Sequence, residues 1–256
     1  MRIVRFSHKA RLGYAILDGE KILPFRDNPF SGIIETGETL VLSEVTLLAP
    51  CEPSKIVALG LNYRDHAAEF GHAVPDEPLI FLKPSTSVIG PETDIIYPQM
   101  SRRVDYEAEL AVIIGKTARH VTEATALDYV LGYTCFNDVT ARDLQKKDGQ
   151  FTRAKGFDTF AAMGPWIETE ISDPDNVMVE AYLNGDRRQH SSTSNMVFGV
   201  RHLISFISQV MTLLPGDVIA TGTPSGIGPM RPGDVVEVKV EGIGTLRNRV
   251  LAEKGI

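Results

Sequence analysis

The chain has 256 residues, of which 43% are hydrophobic and 23% charged, a balance typical of a globular protein with a sizeable core. A formal net charge of −7 without any basic run argues against a nucleic-acid-binding protein. Two distant cysteines, Cys51 and Cys135, argue against a disulfide framework. No apolar stretch has the form of a signal core or reaches the ~18 residues of a membrane span, so we expect a cytoplasmic protein without membrane contact.

Residues 1–50 contain short apolar segments that predict β-strands, with a hairpin turn at Asp18 and Gly19. The segment Pro50-Cys51-Glu52-Pro53 follows, and its two prolines stiffen and interrupt the backbone. We therefore predict a small N-terminal β subdomain over residues 1–50 and a larger domain over residues 51–256.

The larger domain opens with an apolar strand over residues 55–60, followed by a predicted short helix over residues 61–71 that ends at Gly71. His66 and Glu69 lie three residues apart on this helix and share one face. A carboxylate beside an imidazole can fix its tautomer and raise its basicity, as general-base catalysis requires. An incidental surface pair would show the same spacing.

Residues 104–115 predict one continuous buried strand, because apolar and branched residues fill it and Gly115 ends it. Side chains on a strand alternate between faces, so Glu107 and Glu109 share one face. Two carboxylates whose Cα atoms are about 6.5 Å apart repel each other in a dry site and require a cation, a basic partner or raised pKa values. The alternative is a strand end at the solvent rim, where both glutamates are hydrated.

Two further segments carry candidate functional side chains. A strand is predicted over residues 133–140, and Asp138 near its end suits a metal ligand or, equally, a turn. Lys155 lies between Ala154 and Gly156 in an aromatic segment, where partial desolvation would lower its pKa and suit substrate binding or proton transfer. A solvated surface lysine is the alternative.

Two more helices are predicted. Thr122 is a candidate N-cap for a helix that runs to about Leu131. The longest helix begins after Asn195, where apolar residues recur every three or four positions as far as Leu214 and form a stripe that faces the core.

Five motifs occur in order within residues 51–250: Gly60-Leu61-Asn62-Tyr63 with His66 and Glu69, Asp105-Tyr106-Glu107-Ala108-Glu109-Leu110, Phe136-Asn137-Asp138-Val139-Thr140-Ala141-Arg142-Asp143, Lys155-Gly156-Phe157-Asp158, and Thr221-Gly222-Thr223-Pro224-Ser225-Gly226. Together they resemble the fumarylacetoacetate hydrolase superfamily, and the chain is similar to its shorter branch of acylpyruvases and hydroxymuconate isomerase-like proteins.

The resemblance implies an α+β fold that is mainly β, namely a mixed β-sandwich roll with few helices and a small N-terminal β subdomain, assembled as a homodimer. It implies that residues 51–256 form the catalytic domain. It also implies a divalent metal held by Glu107, Glu109 and Asp138. All-oxygen ligands favour a hard cation such as Mg²⁺, with Mn²⁺ or Ca²⁺ as alternatives.

The remaining site residues that the resemblance implies are Lys155 near the substrate, a His66–Glu69 catalytic dyad on a mobile lid, and the substrate contacts Arg142, Gln145 and Thr223. Three carboxylates carry −3, whereas a divalent ion and Lys155 together carry +3. This count predicts a neutral site until an anionic keto acid arrives.

The activity that the resemblance implies is that of a divalent-metal-dependent hydrolase, which cleaves a C–C bond in an acylpyruvate-like 2-keto acid through a metal-stabilised enolate. Isomerase, tautomerase or decarboxylase chemistry on oxaloacetate or a hydroxymuconate-type keto acid is the alternative, because the same enolate serves those reactions. A non-catalytic, β-rich binding protein is the third possibility.

Overall fold

Strands dominate the computed structural model, which describes residues 1–69, 71 and 73–255. In chain order the strands are β1 (Arg2–His8), β2 (Arg11–Asp18), β3 (Lys21–Phe25), β4 (Leu40–Val41), β5 (Thr46–Leu47), β6 (Ile56–Gly60), β7 (Leu79–Lys83), β8 (Val88–Ile89), β9 (Ile95–Tyr97), β10 (Val104–Tyr106), β11 (Ala108–Ile114), β12 (Val130–Asp138), β13 (Thr140–Ala141), β14 (Ala161–Glu168), β15 (Met178–Leu183), β16 (Asp186–Ser192), β17 (Val218–Ala220), β18 (Gly228–Met230), β19 (Val235–Val240) and β20 (Gly244–Ala252).

Helices are few and short across the same residues. The α-helices are α1 (Arg64–Glu69), α2 (Arg142–Asp148), α3 (Thr152–Lys155) and α4 (Val200–Val210), and the 3₁₀ helices are Leu42–Glu44, Ser85–Ser87, Glu123–Tyr129 and Thr193–Asn195. None of the helices described is both long and apolar enough to cross a membrane.

The strands form three sheets. The twelve-stranded sheet has the order β4-β3-β2-β1-β14-β12-β11-β17-β6-β7, with β5 beside β1 and β8 beside β14. A three-stranded sheet has the order β13-β10-β18, and a five-stranded sheet has the order β16-β15-β19-β20-β9. Most neighbours are antiparallel, whereas β6–β17, β8–β14 and β9–β20 are parallel, so the sheets are mixed.

The largest apolar core lies between two of these sheets. Leu110 and Val112 of β11 pack in it with Val179 of β15 and Val238 of β19, so the large sheet covers the five-stranded one. Ile113 of β11 joins a second cluster on the opposite face, as strand alternation requires. The predicted fold class, mainly β with packed mixed sheets, is confirmed.

The N-terminal strands form one end of the large sheet. β1 pairs antiparallel with β14, with Arg2 opposite Glu168. The predicted hairpin joins β2 to β3 and turns at Gly19, whose φ of 58° favours glycine. Phe6 and Ile22 belong to a separate apolar cluster of this segment. The division of the chain at residue 50 stays a prediction.

The strand predicted over residues 104–115 is interrupted at Glu107. β10 pairs with β13 and β18, whereas β11 pairs with β12 and β17, so the chain passes from one sheet to another at this residue. The Glu107 N–H donates to Asn137 Oδ1 at 2.9 Å instead of joining a ladder. Prediction of a single strand was wrong because hydrophobic pattern marks a buried strand but not its partner.

Helix boundaries also differ from those predicted. α1 is shorter than residues 61–71, and Phe70 of that range lies outside the described residues. α4 begins at Val200 rather than after Asn195, because the Val200 N–H donates to Asp175 Oδ1 at 2.8 Å, and it ends before Met211, whose backbone is extended.

The segment after Thr122 forms a 3₁₀ helix over Glu123–Tyr129 instead of an α-helix that runs to Leu131. Thr122 makes no side-chain cap, and Leu131 already belongs to β12. Strand pairing with β11 therefore overrides the helical pattern at this end of the segment.

We expect Asp217→Ala to lower the free energy of unfolding by about 3 to 5 kcal/mol, because this fully buried carboxylate ties the start of β17 to the start of β6. It accepts hydrogen bonds from Ser54 N and Oγ at 3.1 and 2.6 Å, from Lys55 N at 3.2 Å and Nζ, and from Leu214 N at 2.8 Å. Urea denaturation measures the change.

Asp234 is the matched control, because it follows the same Pro-Gly turn in Pro232-Gly233-Asp234. Its carboxylate is only half-buried and accepts from Asn184 Nδ2 and Arg231 N at 2.8 and 2.7 Å. Asp234→Ala should cost about 1 kcal/mol. Equal losses in the two variants would contradict the anchoring role of Asp217.

Candidate active site

Two chain crossings between sheets lie side by side and bring the predicted metal ligands together. The first crossing is Glu107, between β10 and β11, and the second is Val139, between β12 and β13. The Asp138 N–H donates to the Glu107 carbonyl at 2.9 Å, which fixes the two crossings against each other. Glu109 follows on β11, where its Oε2 accepts from the Gly222 N–H at 2.9 Å.

The side chains of Glu107, Glu109 and Asp138 form a buried acidic triad. Their solvent exposures are 5%, 1% and 0%. One oxygen from each carboxylate lies within 4.8 Å of the others, a separation that one ion can bridge. The hydrated strand end is thereby excluded for both glutamates, since neither reaches bulk water.

Two buried lysines contact the acidic triad directly. Lys155 Nζ lies 2.7 Å from Glu107 Oε2 and 2.5 Å from Asp138 Oδ2. Lys83 Nζ pairs with the other oxygen of Asp138 and is itself 1% exposed. The sequence predicted that a pair of buried glutamates requires a cation, a basic partner or raised pKa values. The structure contains the basic partner.

The electrostatic environment shifts the pKa values of Glu107 and Glu109 in opposite directions. Burial acts to raise the pKa of Glu107, but the charges and hydrogen bonds of Lys155 and Arg142 outweigh it and lower that pKa. Burial, together with the negative charges of Asp138 and Glu107, holds the pKa of Glu109 well above its ordinary value. Glu109 therefore holds a proton readily unless a cation is bound nearby.

The pKa values of the two lysines depend on the same balance between burial and neighbouring carboxylates, but they shift in opposite directions. Burial lowers the pKa of Lys83, and the attraction of Asp138 does not overcome it. Burial also acts to lower the pKa of Lys155, but two carboxylates, Asp138 and Glu107, outweigh it and raise that pKa. The expectation of a lowered pKa for Lys155 was wrong because it has two anionic partners.

Arg142 connects the acidic triad to an outer ion pair. Its guanidinium contacts Glu107 and donates from Nε to Asp105 Oδ2 at 2.9 Å. Arg103 binds the other oxygen of Asp105, with Nε at 2.8 Å. Asp105 is fully buried, and the two arginines satisfy both of its oxygens. This pairing holds the Arg142 side chain against the acidic triad.

The charge count of the connected network differs from the predicted one. Four acids (Asp105, Glu107, Glu109 and Asp138) face four cations (Lys83, Arg103, Arg142 and Lys155). The fully ionised network is thus neutral before any ion binds, and a divalent cation would leave it at +2. A site with this balance favours a ligand that carries two negative charges.

A cavity of about 270 Å³ opens beside Glu107 and Lys155. Six of the nine predicted site residues line it, namely His66, Glu107, Arg142, Gln145, Lys155 and Thr223. Its other walls are Leu59, Gly60, Leu61, Phe81 and Phe151, with Lys146 from α2. The cavity therefore combines apolar walls with charged groups at one end, as small-molecule sites commonly do.

His66 and Glu69 are joined on α1 as predicted. His66 Nδ1 lies 3.3 Å from Glu69 Oε2, and His66 is 8% exposed where it faces the cavity. Both oxygens of Glu69 also lie 3.3 Å from the Gly226 N–H. Asp65, the residue before His66, accepts from Ser191 Oγ at 2.8 Å, so α1 is held at two points over the cavity.

The polar groups of Gln145 and Thr223 are already oriented. Gln145 Oε1 accepts from Arg142 Nη1 at 2.7 Å, which leaves its amide nitrogen as a donor for a ligand. The Thr223 hydroxyl donates to the Ala108 carbonyl at 2.9 Å and accepts from Gln189 Nε2 at 2.8 Å. A Thr223 hydrogen bond to an anion would therefore require this hydroxyl to rotate.

Sequence reasoning missed Lys83. It ends the apolar strand β7 between Leu82 and Pro84, and lysine is almost never fully buried unless it is paired. A charge at the end of an otherwise apolar strand was a usable signal. Asp105 and Arg103 were also missed, and alternation within β10 gives no means of telling a buried pair from a surface one.

Known proteins resemble this chain in fold and in sequence. The family described as "Fumarylacetoacetate (FAA) hydrolase C-terminal" matches residues 55–251. The chain belongs to the fumarylacetoacetate hydrolase superfamily. Residues 1–50 match a second family, described as "Rv2993c-like, N-terminal". The superfamily resemblance predicted from the five motifs is confirmed.

Three superfamily members are similar to this chain over nearly all of its length. "Oxaloacetate tautomerase fahd2, mitochondrial" of Xenopus laevis is 40% identical and is aligned over 98% of this chain and 90% of its own length. The structure of 5-carboxymethyl-2-hydroxymuconate delta-isomerase from Mycobacterium smegmatis is 44% identical, with a TM-score of 0.93 over 99% of this chain and 100% of that chain. That of 2-hydroxyhepta-2,4-diene-1,7-dioate isomerase from Mycobacterium marinum is 43% identical, with a TM-score of 0.93 over 100% of both chains.

We expect the metal-free protein to lose stability as the pH rises above 4.5, the ordinary pKa of Glu109. The folded state then keeps a proton that the unfolded state releases, and the loss continues until the raised folded pKa is passed. The difference in unfolding free energy between wild type and Glu109→Gln should therefore fall by up to about 1.4 kcal/mol per pH unit.

Urea denaturation with a chelator present, between about pH 5 and pH 7, measures this slope. Glu109→Gln cannot release that proton, so it isolates the contribution of Glu109. Saturating Mg²⁺ should abolish the slope, because a bound cation favours the carboxylate form. A difference that stays constant with pH in the chelator would show that Glu109 is ionised in both states.

Proposed function

We propose that this protein is a divalent-metal-dependent tautomerase or isomerase that interconverts the enol and keto forms of a 2-keto acid, with oxaloacetate as the first candidate substrate. The observation that carries the proposal is the buried acidic triad of Glu107, Glu109 and Asp138, of which Glu107 lines a small cavity. Membership of an enzyme superfamily argues against the non-catalytic alternative.

The acidic triad suits a hard divalent cation. Its ligands are all carboxylate oxygens, and a cation would offset the burial and the neighbouring charges of Asp138 and Glu107 that raise the pKa of Glu109. Glu107, Glu109 and Asp138 would hold the ion, with Mg²⁺ favoured and Mn²⁺ or Ca²⁺ possible for the same donors. When bound, such an ion stabilises negative charge on the 2-keto oxygen of a substrate.

The remaining residues divide into binding and proton-transfer groups. The cations Lys155 and Arg142, and the amide of Gln145, provide donors for the substrate's carboxylate at the inner end of the cavity. Thr223 lies on the adjacent wall and completes the predicted contacts.

We assign proton transfer at C3 of the substrate to His66, because it lines the cavity and pairs with Glu69, which would orient its ring. In the keto-to-enol direction His66 takes a proton from C3, and the resulting imidazolium gives that proton to the 2-keto oxygen. The reverse reaction returns it to C3, so the reaction consumes neither water nor an oxidant. A reaction that consumes no water suits a cavity whose walls are largely apolar.

The names of the relatives support tautomerisation or isomerisation as the first candidate reaction. One is named an oxaloacetate tautomerase, one a 5-carboxymethyl-2-hydroxymuconate delta-isomerase and one a 2-hydroxyhepta-2,4-diene-1,7-dioate isomerase. C–C bond hydrolysis of an acylpyruvate remains the second candidate, because the His66–Glu69 pair could equally take a proton from water. Decarboxylation, assembly as a homodimer and a cytoplasmic location stay predictions.

We expect the Mg²⁺-loaded protein to accelerate loss of the enol absorbance of oxaloacetate, and a chelator to abolish that rate. Added Mg²⁺ or Mn²⁺ should then restore it, because the acidic triad requires a cation to bind the keto acid. Pyruvate release from acetylpyruvate is measured in parallel. Release of pyruvate without oxaloacetate tautomerisation would replace this proposal with the hydrolase.

We expect His66→Gln to lower kcat of the tautomerisation by about a hundredfold or more, since general acid–base groups commonly contribute that much. His202→Gln is the matched control, because His202 also pairs with a glutamate, with Nδ1 2.9 Å from Glu123 Oε1, but lies on an exposed face of α4. Steady-state kinetics distinguishes the two. Unchanged kcat in His66→Gln would remove His66 from the mechanism.

A further inference from the structure

One cation of the cavity has no role in the proposed chemistry. Three side chains of α2 line the cavity, namely Arg142, Gln145 and Lys146. Arg142 binds Glu107 and Gln145 binds Arg142, so both belong to the network around the acidic triad. Lys146 is exposed at the cavity wall and makes no ion pair with any residue in 1–69, 71 or 73–255.

The two acids nearest to Lys146 in sequence are bound elsewhere. Asp143, one turn earlier, accepts from Ser101 Oγ at 2.6 Å and from the Arg102 N–H at 3.0 Å. Asp148, at the end of α2, pairs with Arg153. Lys146 therefore keeps its positive charge uncompensated by these neighbours on its own helix.

Helix geometry sets the distance between Lys146 and the inner end of the cavity. Arg142 and Lys146 are four residues apart, so they share one face of α2 and are offset by about 6 Å along its axis. Arg142 contacts Glu107 of the acidic triad. Lys146 would thus lie within reach of the far end of a short-chain keto acid bound at the triad.

Little else in the cavity can bind an anion at that far end. Four other residues that line the cavity are apolar, namely Leu59, Leu61, Phe81 and Phe151. The remaining imidazole, that of His66, is hydrogen-bonded to Glu69 and is assigned to proton transfer. A second carboxylate on the substrate would therefore find its charge partner in Lys146.

We propose that Lys146 determines specificity for dicarboxylic keto acids by binding the carboxylate farthest from the 2-keto group. The inference rests on the proposed function for the orientation of the substrate. It agrees with the charge of the site, since a divalent ion would bring the network to +2 and Lys146 adds one further positive charge, so a dicarboxylate offsets more of this charge than a monocarboxylate does. A monocarboxylic keto acid would leave Lys146 without a partner.

The test compares two 2-keto acids of equal chain length, 2-oxoglutarate and 2-oxopentanoate. The second carries a methyl group in place of the second carboxylate. Their Kd values for the Mg²⁺-loaded protein are measured by calorimetry. Wild type should bind the dicarboxylate more tightly, and Lys146→Gln should reduce that preference about tenfold, the value of one charge-assisted hydrogen bond. Lys146→Arg should preserve the preference, because it keeps the charge.

Lys147→Gln is the matched control, because Lys147 is the next residue of α2, is exposed, and does not line the cavity. It should keep the wild-type preference. High salt should weaken the preference of wild type more than that of Lys146→Gln. An unchanged preference in Lys146→Gln, or an equal loss in Lys147→Gln, would overturn the inference.

Turnover separates this inference from the proposed function. If oxaloacetate is not turned over but Lys146→Gln still loses its preference for the dicarboxylate, the proposed function fails and the specificity role of Lys146 stands. If oxaloacetate is turned over and the preference does not change in Lys146→Gln, the proposed function stands and the role of Lys146 fails.

Discussion

Lys155 lies between Glu107 and Asp138, and the rest of the site depends on this contact. Two carboxylates brought into a dry interior repel each other, and an ammonium 2.7 and 2.5 Å from their oxygens compensates both. Lys83 adds a second cation on Asp138. The acidic triad can therefore form within a folded core, while Glu109, whose pKa is raised by burial and by Asp138 and Glu107, has no basic side chain paired with it among the described residues.

Backbone hydrogen bonds fix where these charges meet. Glu107 and Val139 mark the points at which two adjacent strands leave one sheet for another, and the Asp138 N–H joins the two points. A residue at such a crossing is released from its strand ladder, so its side chain can turn towards a neighbouring strand. Carboxylates from different parts of the chain thus converge on one position without a flexible loop.

Much of the site could be predicted from local sequence, but its partners could not. Glu107 and Glu109 stood out because acids are rare in a buried strand, and Asp138 because it ends one. The raised pKa of Lys155 depends on two carboxylates 17 and 48 residues away. Lys83 depends on a contact across 55 residues. The periodicity of hydrophobic residues indicates which face of a strand is buried, but not which strand pairs with it. The points where the chain crosses between sheets, and the ion pairs, could therefore not be predicted.

The proposed metal ligands and the proposed specificity residue lie on different kinds of secondary structure. The acidic triad is fixed by strands inside the core, whereas α2 presents its charged side chains from a short helix at the edge of the cavity. A substitution at Lys146 changes an exposed position, so the strand pairing that supports the acids is left intact. If Lys146 has the proposed role, single substitutions at this position would change substrate preference at little cost in stability and without altering the acidic triad.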